Sequence, residues 1–209
     1  WYRKYAAREM KDVKFCLAFF HDPGSFHSVK KKITVPGDIK GMKIRTPSAA
    51  QTAQLETLGA TPIDMPAPAI YNNLDRGVID ATEFSMPAMD IKQGFHQVAK
   101  FNYFPGWHQQ VSVNHILMNK KAFDALPKSY KKMIEVESGN MLMRNYAESE
   151  ANNFGAMKEM TSKFGVQIKR WPDDQIAVFE KTWLEVLQEE SAKDPLMKKI
   201  ADDYLAFRK

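Results

Sequence analysis

The stretch that decides the fold is residues 41–48, which read Gly41-Met42-Lys43-Ile44-Arg45-Thr46-Pro47-Ser48. Its first half predicts a short strand. Thr46 followed by Pro47 predicts the capped first turn of a helix, which Gly59 ends. Arg45 therefore stands at a strand end, beside the free N–H groups of a helix N-terminus, where a guanidinium fork and the helix end together favour a bound carboxylate. A surface arginine after a strand is the alternative that spacing alone leaves open.

Strand-like and helical patterns alternate along the rest of the chain. The strand-like runs, rich in β-branched and aromatic residues, are residues 13–20, 42–46, 77–84, 111–119 and 166–171. Helical patterns begin near Pro68 and at Asp173 or Asp174, and a terminal helix follows Pro195. Alternation of this kind predicts an α/β fold.

The longest helical pattern covers residues 127–165, where apolar side chains recur at roughly helical spacing. One continuous helix of that length would be about 55 Å long, more than the width of a small domain. Gly139 and Gly155 are the natural places for a bend or a break. The pattern predicts either one bent helix that bridges two lobes or two consecutive helices.

A second candidate segment, residues 77–85, ends in Glu83 and Phe84. Ligands of open α/β sheets bind beyond the carboxyl ends of strands, where both Arg45 and Glu83 are expected. The two residues could therefore face one cleft. Taken alone, Glu83 is as readily a solvated acid, and Phe84 a core residue.

A third segment, residues 101–110, is an aromatic loop that leads into a strand. Trp107 can form the wall of a pocket, and Gln109 could offer an amide oxygen to a ligand or a cation. Turn packing explains most of this loop equally well.

Composition excludes several classes of protein. The 209 residues are 44% apolar and carry a net charge of +5, with no basic stripe that would indicate nucleic-acid binding. Cys16 is the single cysteine, so an internal disulfide is excluded. The longest apolar run has only six residues, residues 15–20, against the roughly 20 that cross a bilayer, so we expect a protein that is not embedded in a membrane.

Signatures of enzymes are absent from the sequence. It contains no Gly-x-Ser-x-Gly elbow, no Gly-rich phosphate loop and no His-Glu-x-x-His metal helix. The five histidines, His108 among them, show no zinc spacing. A pair of carboxylates for acid–base chemistry stays open, because Asp64, Asp80, Glu83 and Asp90 lie close together in the sequence.

Several motifs together resemble the DctP-type binding proteins of TRAP (tripartite ATP-independent periplasmic) transporters. They read Asp38-Ile39-Lys40-Gly41-Met42-Lys43-Ile44-Arg45-Thr46-Pro47, Leu58-Gly59-Ala60-Thr61-Pro62, and Leu74-Asp75-Arg76-Gly77-Val78-Ile79-Asp80-Ala81-Thr82-Glu83. Gly94-Phe95-His96-Gln97-Val98-Ala99-Lys100 and Pro105-Gly106-Trp107-His108 are similar to the branch that includes 2-oxo-acid binders. The resemblance covers nearly the whole chain in the expected order.

The resemblance implies a two-lobed periplasmic-binding-protein architecture, with a hinge and a long lobe-spanning helix, that closes over one ligand. It also implies that the first lobe is incomplete here and that the chain is truncated at its N-terminus. We expect residues 1–18 in the first lobe and residues 19–110 in the second, with the main ligand contacts. Residues 111–209 then form a return segment with a hinge strand, the long helix and the C-terminal helices.

The resemblance also assigns residues to a ligand site. Arg45 matches the arginine that pairs with the substrate carboxylate, and Glu83 an acid that helps to hold a bridging cation. Phe84 stands where the 2-oxo-acid branch often has tryptophan, with Trp107 close by in the site. Gln109 replaces a second acid, and Gly24 replaces a glutamine.

These two replacements remove oxygen ligands that a hard cation needs. We therefore expect no cofactor, and a ligand with polar groups of its own, such as a hydroxy acid or a dicarboxylate. A bridging sodium or calcium ion held by Glu83 and Gln109 is the alternative.

The implied function is the capture of a small organic carboxylate in the periplasm and its delivery to TRAP transporter membrane subunits, without catalysis. Two alternatives stay open at this stage. One is a small-acid hydrolase or lyase that uses Glu83, and the other is a ligand-sensing receptor module.

Overall fold

The computed structural model describes residues 10–21, 26–28, 31–108 and 112–208. The chain divides into two compact units, one made of Trp1–Asp22 with Val111–Asn152 and the other of Pro23–Gln110 with Asn153–Lys209. No described helix, the 37-residue one included, is long and apolar enough to cross a membrane.

Strands and helices alternate through most of the described residues. The strands are β1 Val13–His21, β2 Phe26–Ser28, β3 Lys43–Thr46, β4 Thr61–Asp64, β5 Ala81–Glu83, β6 Phe101–Phe104, β7 Ser112–Asn119 and β8 Gln167–Arg170. The α-helices are α1 Ala49–Thr57, α2 Ile70–Asp75, α3 Pro87–Asp90, α4 Phe95–Val98, α5 Lys120–Ala125, α6 Lys128–Phe164, α7 Asp173–Ser191 and α8 Pro195–Arg208. Short 3-10 helices cover Pro36–Ile39, Ala67–Ala69 and Ile91–Gln93.

The first unit is built on an antiparallel pair, β1 with β7, in which Val13 lies opposite Asn119. Asn119 also begins α5, because its side-chain oxygen accepts a hydrogen bond from the Ala122 N–H at 3.1 Å. The first 25 residues of α6, residues 128–152, belong to this unit as well.

The second unit holds a six-stranded mixed sheet in the order β4-β3-β5-β2-β6-β8. β2 runs antiparallel to both neighbours, whereas β3 is parallel to β4 and β5, and β6 is parallel to β8. The predicted strand over residues 77–84 is shorter than expected, because Gly77 takes a positive φ of 72° and closes a turn before β5 begins.

Two apolar clusters pack against this sheet. The larger contains Phe26, Ile44, Tyr103, Trp171 and Phe179 among its buried members. The smaller consists of Ile70, Leu74, Ile79 and Phe95. Side chains alternate across a strand, so Ile44 enters the larger cluster while its neighbour Arg45 is directed away from it.

The helix that follows β3 begins two residues later than the sequence predicts. Thr46 remains in β3, where its hydroxyl lies 2.9 Å from the hydroxyl of Thr52. Ser48 is the N-cap instead, and its side chain accepts from the Gln51 N–H at 3.3 Å. Gly59, with φ of 77°, follows the end of the helix as predicted.

The long helical pattern forms one unbroken helix, so of the two predicted alternatives, that of two consecutive helices was wrong. α6 runs for 37 residues through both Gly139 and Gly155. A Cβ atom at either glycine would meet nothing within 4 Å, so these positions are open surface rather than breaks. The helix contributes residues 128–152 to the first unit and 153–164 to the second.

Candidate functional site

The structure brings Arg45 and Glu83 together at the carboxyl ends of two adjacent strands. β3 and β5 are parallel neighbours, with Arg45 opposite Thr82. Arg45 Nη1 donates to Glu83 Oε1 at 2.9 Å. Both residues are buried, with 7% of Arg45 and 3% of Glu83 exposed. The two residues therefore lie close together, as predicted, and they form a direct ion pair.

Main-chain oxygens fix the direction of the arginine. Arg45 Nε donates to the Met65 carbonyl at 3.3 Å, and Nη1 also approaches the Glu83 carbonyl at 3.4 Å. A guanidinium carries five N–H donors in a rigid fork. Its Nη2 makes no hydrogen bond with the described residues, so this edge is available to a second carboxylate.

The other oxygen of Glu83 faces an imidazole that sequence reasoning did not assign to the site. His108 Nε2 lies 3.2 Å from Glu83 Oε2, and the His108 side chain is 1% exposed. The histidines show no zinc spacing in the sequence, and a spacing pattern does not reveal a contact between a histidine and a distant glutamate. The Pro-Gly-Trp-His motif was the signal that could have found it.

Trp107 forms a wall beside His108. Its indole stacks on Phe179 at 4.3 Å between ring centroids and meets the His108 ring edge-on at 5.6 Å. Trp107 also packs against the larger apolar cluster. Its predicted position beside a ligand stays a prediction.

Phe84 belongs to the smaller apolar cluster and is half-buried. Its ring meets that of Phe95 edge-on at 5.6 Å. Part of the ring therefore packs against the core, in agreement with the alternative prediction that Phe84 is a core residue. The rest of the Phe84 side chain is exposed.

A buried carboxylate holds the chain that follows Glu83. Asp90 Oδ1 accepts from the Ser85 N–H at 3.1 Å, and Asp90 Oδ2 lies 2.8 Å from His27 Nε2. Asp90 and His27 are 0% and 1% exposed. Because His27 pairs with Thr82 across β2 and β5, this contact fixes the end of the strand that carries Glu83.

Among the described residues of the candidate cation site, the carboxylate oxygen available to a cation is Glu83 Oε2. Gln109 and Gly24 both lie outside the described residues. Among the residues that the structure describes, no group of three or more His, Cys, Asp or Glu could hold a metal ion. Hard cations take six or more oxygen ligands, so Glu83 Oε2 alone does not make such a site.

Comparison with known proteins identifies a family. The model of the DctP family, described as bacterial extracellular solute-binding protein, family 7, matches residues 5–194. A monocarboxylate 2-oxoacid-binding periplasmic protein from Nostoc sp. is 30% identical over 182 residues, which are 86% of this chain and 49% of that protein. The chain thus spans about half the length of this curated relative.

Solved structures show the same fold. A TRAP periplasmic solute-binding protein from Colwellia psychrerythraea, with bound calcium and pyruvate, has a TM-score of 0.84 at 28% identity over 97% of this chain and 62% of that one. Another, from Pseudoalteromonas atlantica with bound sodium and pyruvate, has a TM-score of 0.81 at 27% identity over 95% and 60% of the two chains. These matches confirm the predicted fold class. The cations in both structures correspond to the alternative that the sequence left open.

Proposed function

Because this chain belongs to the family 7 bacterial extracellular solute-binding proteins, we propose that it captures a small organic carboxylate in the periplasm and delivers it to TRAP transporter membrane subunits. The observation that carries this proposal is Arg45, a buried guanidinium at a strand end with an edge that the described residues leave unbonded. Nε and Nη1 already donate to the Met65 and Glu83 oxygens, so Nη2 is the nitrogen left to donate charge-assisted hydrogen bonds to a ligand carboxylate.

The ion pair with Glu83 keeps the arginine in place before a ligand binds. A buried guanidinium without a partner would be unstable, so Glu83 Oε1 neutralises it and the Met65 carbonyl orients it. The ligand then adds its carboxylate to a group that is already positioned. Phe84 and Trp107 supply apolar surface for the rest of a small ligand.

A thermal-shift screen tests this function. We expect one class among mono- and dicarboxylates, 2-oxo acids and hydroxy acids to stabilise the protein by about 2.7 kcal/mol at a hundredfold excess over its dissociation constant. For a chain of this size, that corresponds to a rise in Tm of roughly 5–11 °C. Each acid is measured with calcium and with a chelator, which detects a bridging cation.

Two variants of Arg45 test the site, and one variant of Arg76 serves as the control. Arg45→Ala should abolish the shift, and Arg45→Lys, which keeps the charge but loses the fork, should reduce it. Arg76→Ala removes an exposed arginine and should leave the shift unchanged. A shift that survives in both Arg45 variants would contradict the proposal.

One observation bears on the enzyme alternative. A hydrolase or lyase that uses Glu83 needs a second ionisable group within reach, and His108 Nε2 lies 3.2 Å away. The family and the similar structures are transport proteins, which favours binding without reaction. We expect every stabilising acid to be recovered unchanged after prolonged incubation, as followed by proton NMR, whereas turnover would support the alternative.

The sensor alternative uses the same pocket and differs in its partner. Genes for transporter membrane subunits beside the gene for this protein would support delivery. A neighbouring kinase or chemoreceptor gene would support sensing instead.

A further inference from the structure

A side chain of the long helix reaches the part of the chain that follows Glu83. Asn153 of α6 belongs to the second unit and is 9% exposed. Its Oδ1 accepts from the Ala88 N–H at 3.1 Å, and its Nδ2 lies 3.8 Å from Met86 Sδ. Asparagine is mostly found on protein surfaces, so a buried one that uses both ends of its amide indicates a specific role.

The Ala88 N–H is one that its own helix leaves without an acceptor. α3 begins at Pro87, and the first N–H groups of a helix have no partner within that helix. The N-cap residue of α3 is Met86, which provides no side-chain cap. Asn153 supplies the acceptor instead, from 65 residues further along the chain. The start of α3 is therefore bonded to α6.

This bond acts on a short segment, residues 84–90, that directly follows Glu83. The segment is also held from the sheet, because the Ser85 N–H donates to Asp90 Oδ1 at 3.1 Å. Asp90 Oδ2 in turn lies 2.8 Å from Nε2 of His27 on β2. The 84–90 segment is thus held by two elements, β2 through the buried pair and α6 through its asparagine.

The position of Glu83 depends on how firmly the 84–90 segment is held. Glu83 is the last residue of β5, so the sheet fixes it on one side only. Its carboxylate meets Arg45 Nη1 at 2.9 Å, and its carbonyl lies 3.4 Å from the same nitrogen. A binding site keeps its affinity when its charged groups are held to within about 0.5 Å by supporting hydrogen bonds.

The alternative is that Asn153 serves only the stability of the fold. Ala88 is partly exposed, so water can accept from its N–H when the asparagine is removed. Ala156 and Met160 follow on the same face of α6 and are 8% and 0% exposed, so apolar burial already anchors this part of the helix. Neither the N–H group nor the helix therefore requires a buried asparagine for its own stability.

We infer that Asn153 is a positioning residue of the carboxylate site, which fixes Glu83 through the 84–90 segment. It acts through Glu83 and the pairing of Glu83 with Arg45, and it does not contact the bound acid. This inference rests on the proposed function, because positioning affects binding only if a carboxylate binds at Arg45.

Hydrogen exchange without any ligand tests the first step. Asn153→Leu keeps nearly the same volume and removes the acceptor, whereas Asn153→Asp keeps an acceptor for the Ala88 N–H. The Ser85 amide should exchange about tenfold faster in the leucine variant and near the wild-type rate in the aspartate variant. Asn152→Leu makes the same change at an exposed asparagine of α6 and should have no effect. NMR follows the individual amides.

Binding affinity tests the second step. Lactate, pyruvate and succinate are titrated calorimetrically into each variant, with calcium and with a chelator. An acid that binds the wild type should bind Asn153→Leu about fivefold more weakly, an effect of the size of one hydrogen bond. Asn153→Asp should recover the affinity to within about twofold, and Asn152→Leu should retain it. Urea unfolding of the same variants gives the folded fraction, so that loss of folded protein is not counted as weaker binding.

Each other outcome decides against the inference. Unchanged exchange of Ser85 in Asn153→Leu would show that the asparagine does not hold the segment. Faster exchange with unchanged affinity would show a merely structural role, and both results leave the proposed function standing. Equal weakening by Asn152→Leu would show that the effect is not specific to the buried position. Failure of these acids and of every other acid in the screen to bind the wild type would contradict the proposed function and this inference together.

Discussion

At the scale of single residues, the site depends on polar and charged groups that are buried and paired before any ligand arrives. Arg45 and Glu83 form one such pair at 2.9 Å, and His27 with Asp90 forms another at 2.8 Å. Breaking a buried pair by removing one partner is strongly destabilising, because the other group stays in a low-dielectric environment. Each of these pairs therefore has a function in folding as well as in positioning.

Asp90→Ala should lower the free energy of unfolding by about 3–5 kcal/mol, because it removes the His27 contact and the acceptor for the Ser85 N–H. Asp90→Asn keeps the shape and one acceptor, so its loss should be smaller. Urea unfolding measures both variants. A loss below about 1 kcal/mol for Asp90→Ala would contradict this account of the pair.

Asp38 gives a prediction that depends on pH. Hydrogen bonds from the Thr34 and Val35 N–H groups and the Thr34 hydroxyl lower the pKa of Asp38 from 3.8 to about 2. Because the folded state favours the charged carboxylate, the stabilisation is fully present above the pKa that Asp38 has in the unfolded state. It is lost as the pH falls through the pKa of the folded state. Asp38→Asn should therefore cost about 1–2 kcal/mol at pH 7.

The difference between wild type and Asp38→Asn should shrink as the pH falls from about 4 to about 2. Denaturant unfolding at a series of pH values measures it. A difference that stays constant over this interval would show that Asp38 does not stabilise the fold through its charge.

The sequence predicted which residues lie near the site more accurately than it predicted the contacts between them. Arg45 and Glu83 could be placed at strand ends from local patterns. Their direct contact spans 38 residues and depends on β3 and β5 being adjacent, which no local pattern shows. The contact of His108 with Glu83 depends likewise on the strand order β5-β2-β6.

At the scale of elements, α6 shows where a local rule was misleading. Glycine lowers helix propensity, so Gly139 and Gly155 predicted a break or bend. The helix continues through both. Ser149, Asn153, Ala156 and Met160 are buried along one face around Gly155. Packing along this face offsets the low helix propensity of Gly155.

Gly139→Ala and Gly155→Ala should each raise the free energy of unfolding by about 0.5–1 kcal/mol, because both glycines lie inside a helix and a new Cβ atom meets nothing. Chemical unfolding checks each variant. Gly59→Ala is the opposite control, since φ of 77° makes alanine strained there. Destabilisation by alanine at position 139 or 155 would show that the helix bends or opens at that glycine.

At the scale of the whole molecule, the two units differ in the size of their sheets. Among its described residues, the second unit has six hydrogen-bonded strands and two apolar clusters. The described part of the first unit has a two-stranded sheet, and its Leu117, Met133 and Met143 are 55%, 60% and 67% exposed. A two-stranded sheet is only marginally stable by itself.

Hydrogen exchange should therefore be faster in the first unit. We expect amides of β1, β7 and residues 128–152 of α6 to exchange before those of β3, β5 and β6, because fewer buried contacts protect them. Mass spectrometry of exchanged peptides measures the order. Equal protection of the two sheets would contradict this prediction.

The most direct test of the central claim is whether the ligand is recognised by its carboxylate. Calorimetric titration would compare the tightest-binding acid of the screen with the primary amide of the same acid, such as lactate with lactamide. We predict that the amide binds at least a hundredfold more weakly, because it brings no negative charge to the Arg45 guanidinium. Equal affinity for the acid and its amide would show that Arg45 does not bind a ligand carboxylate and would contradict the account.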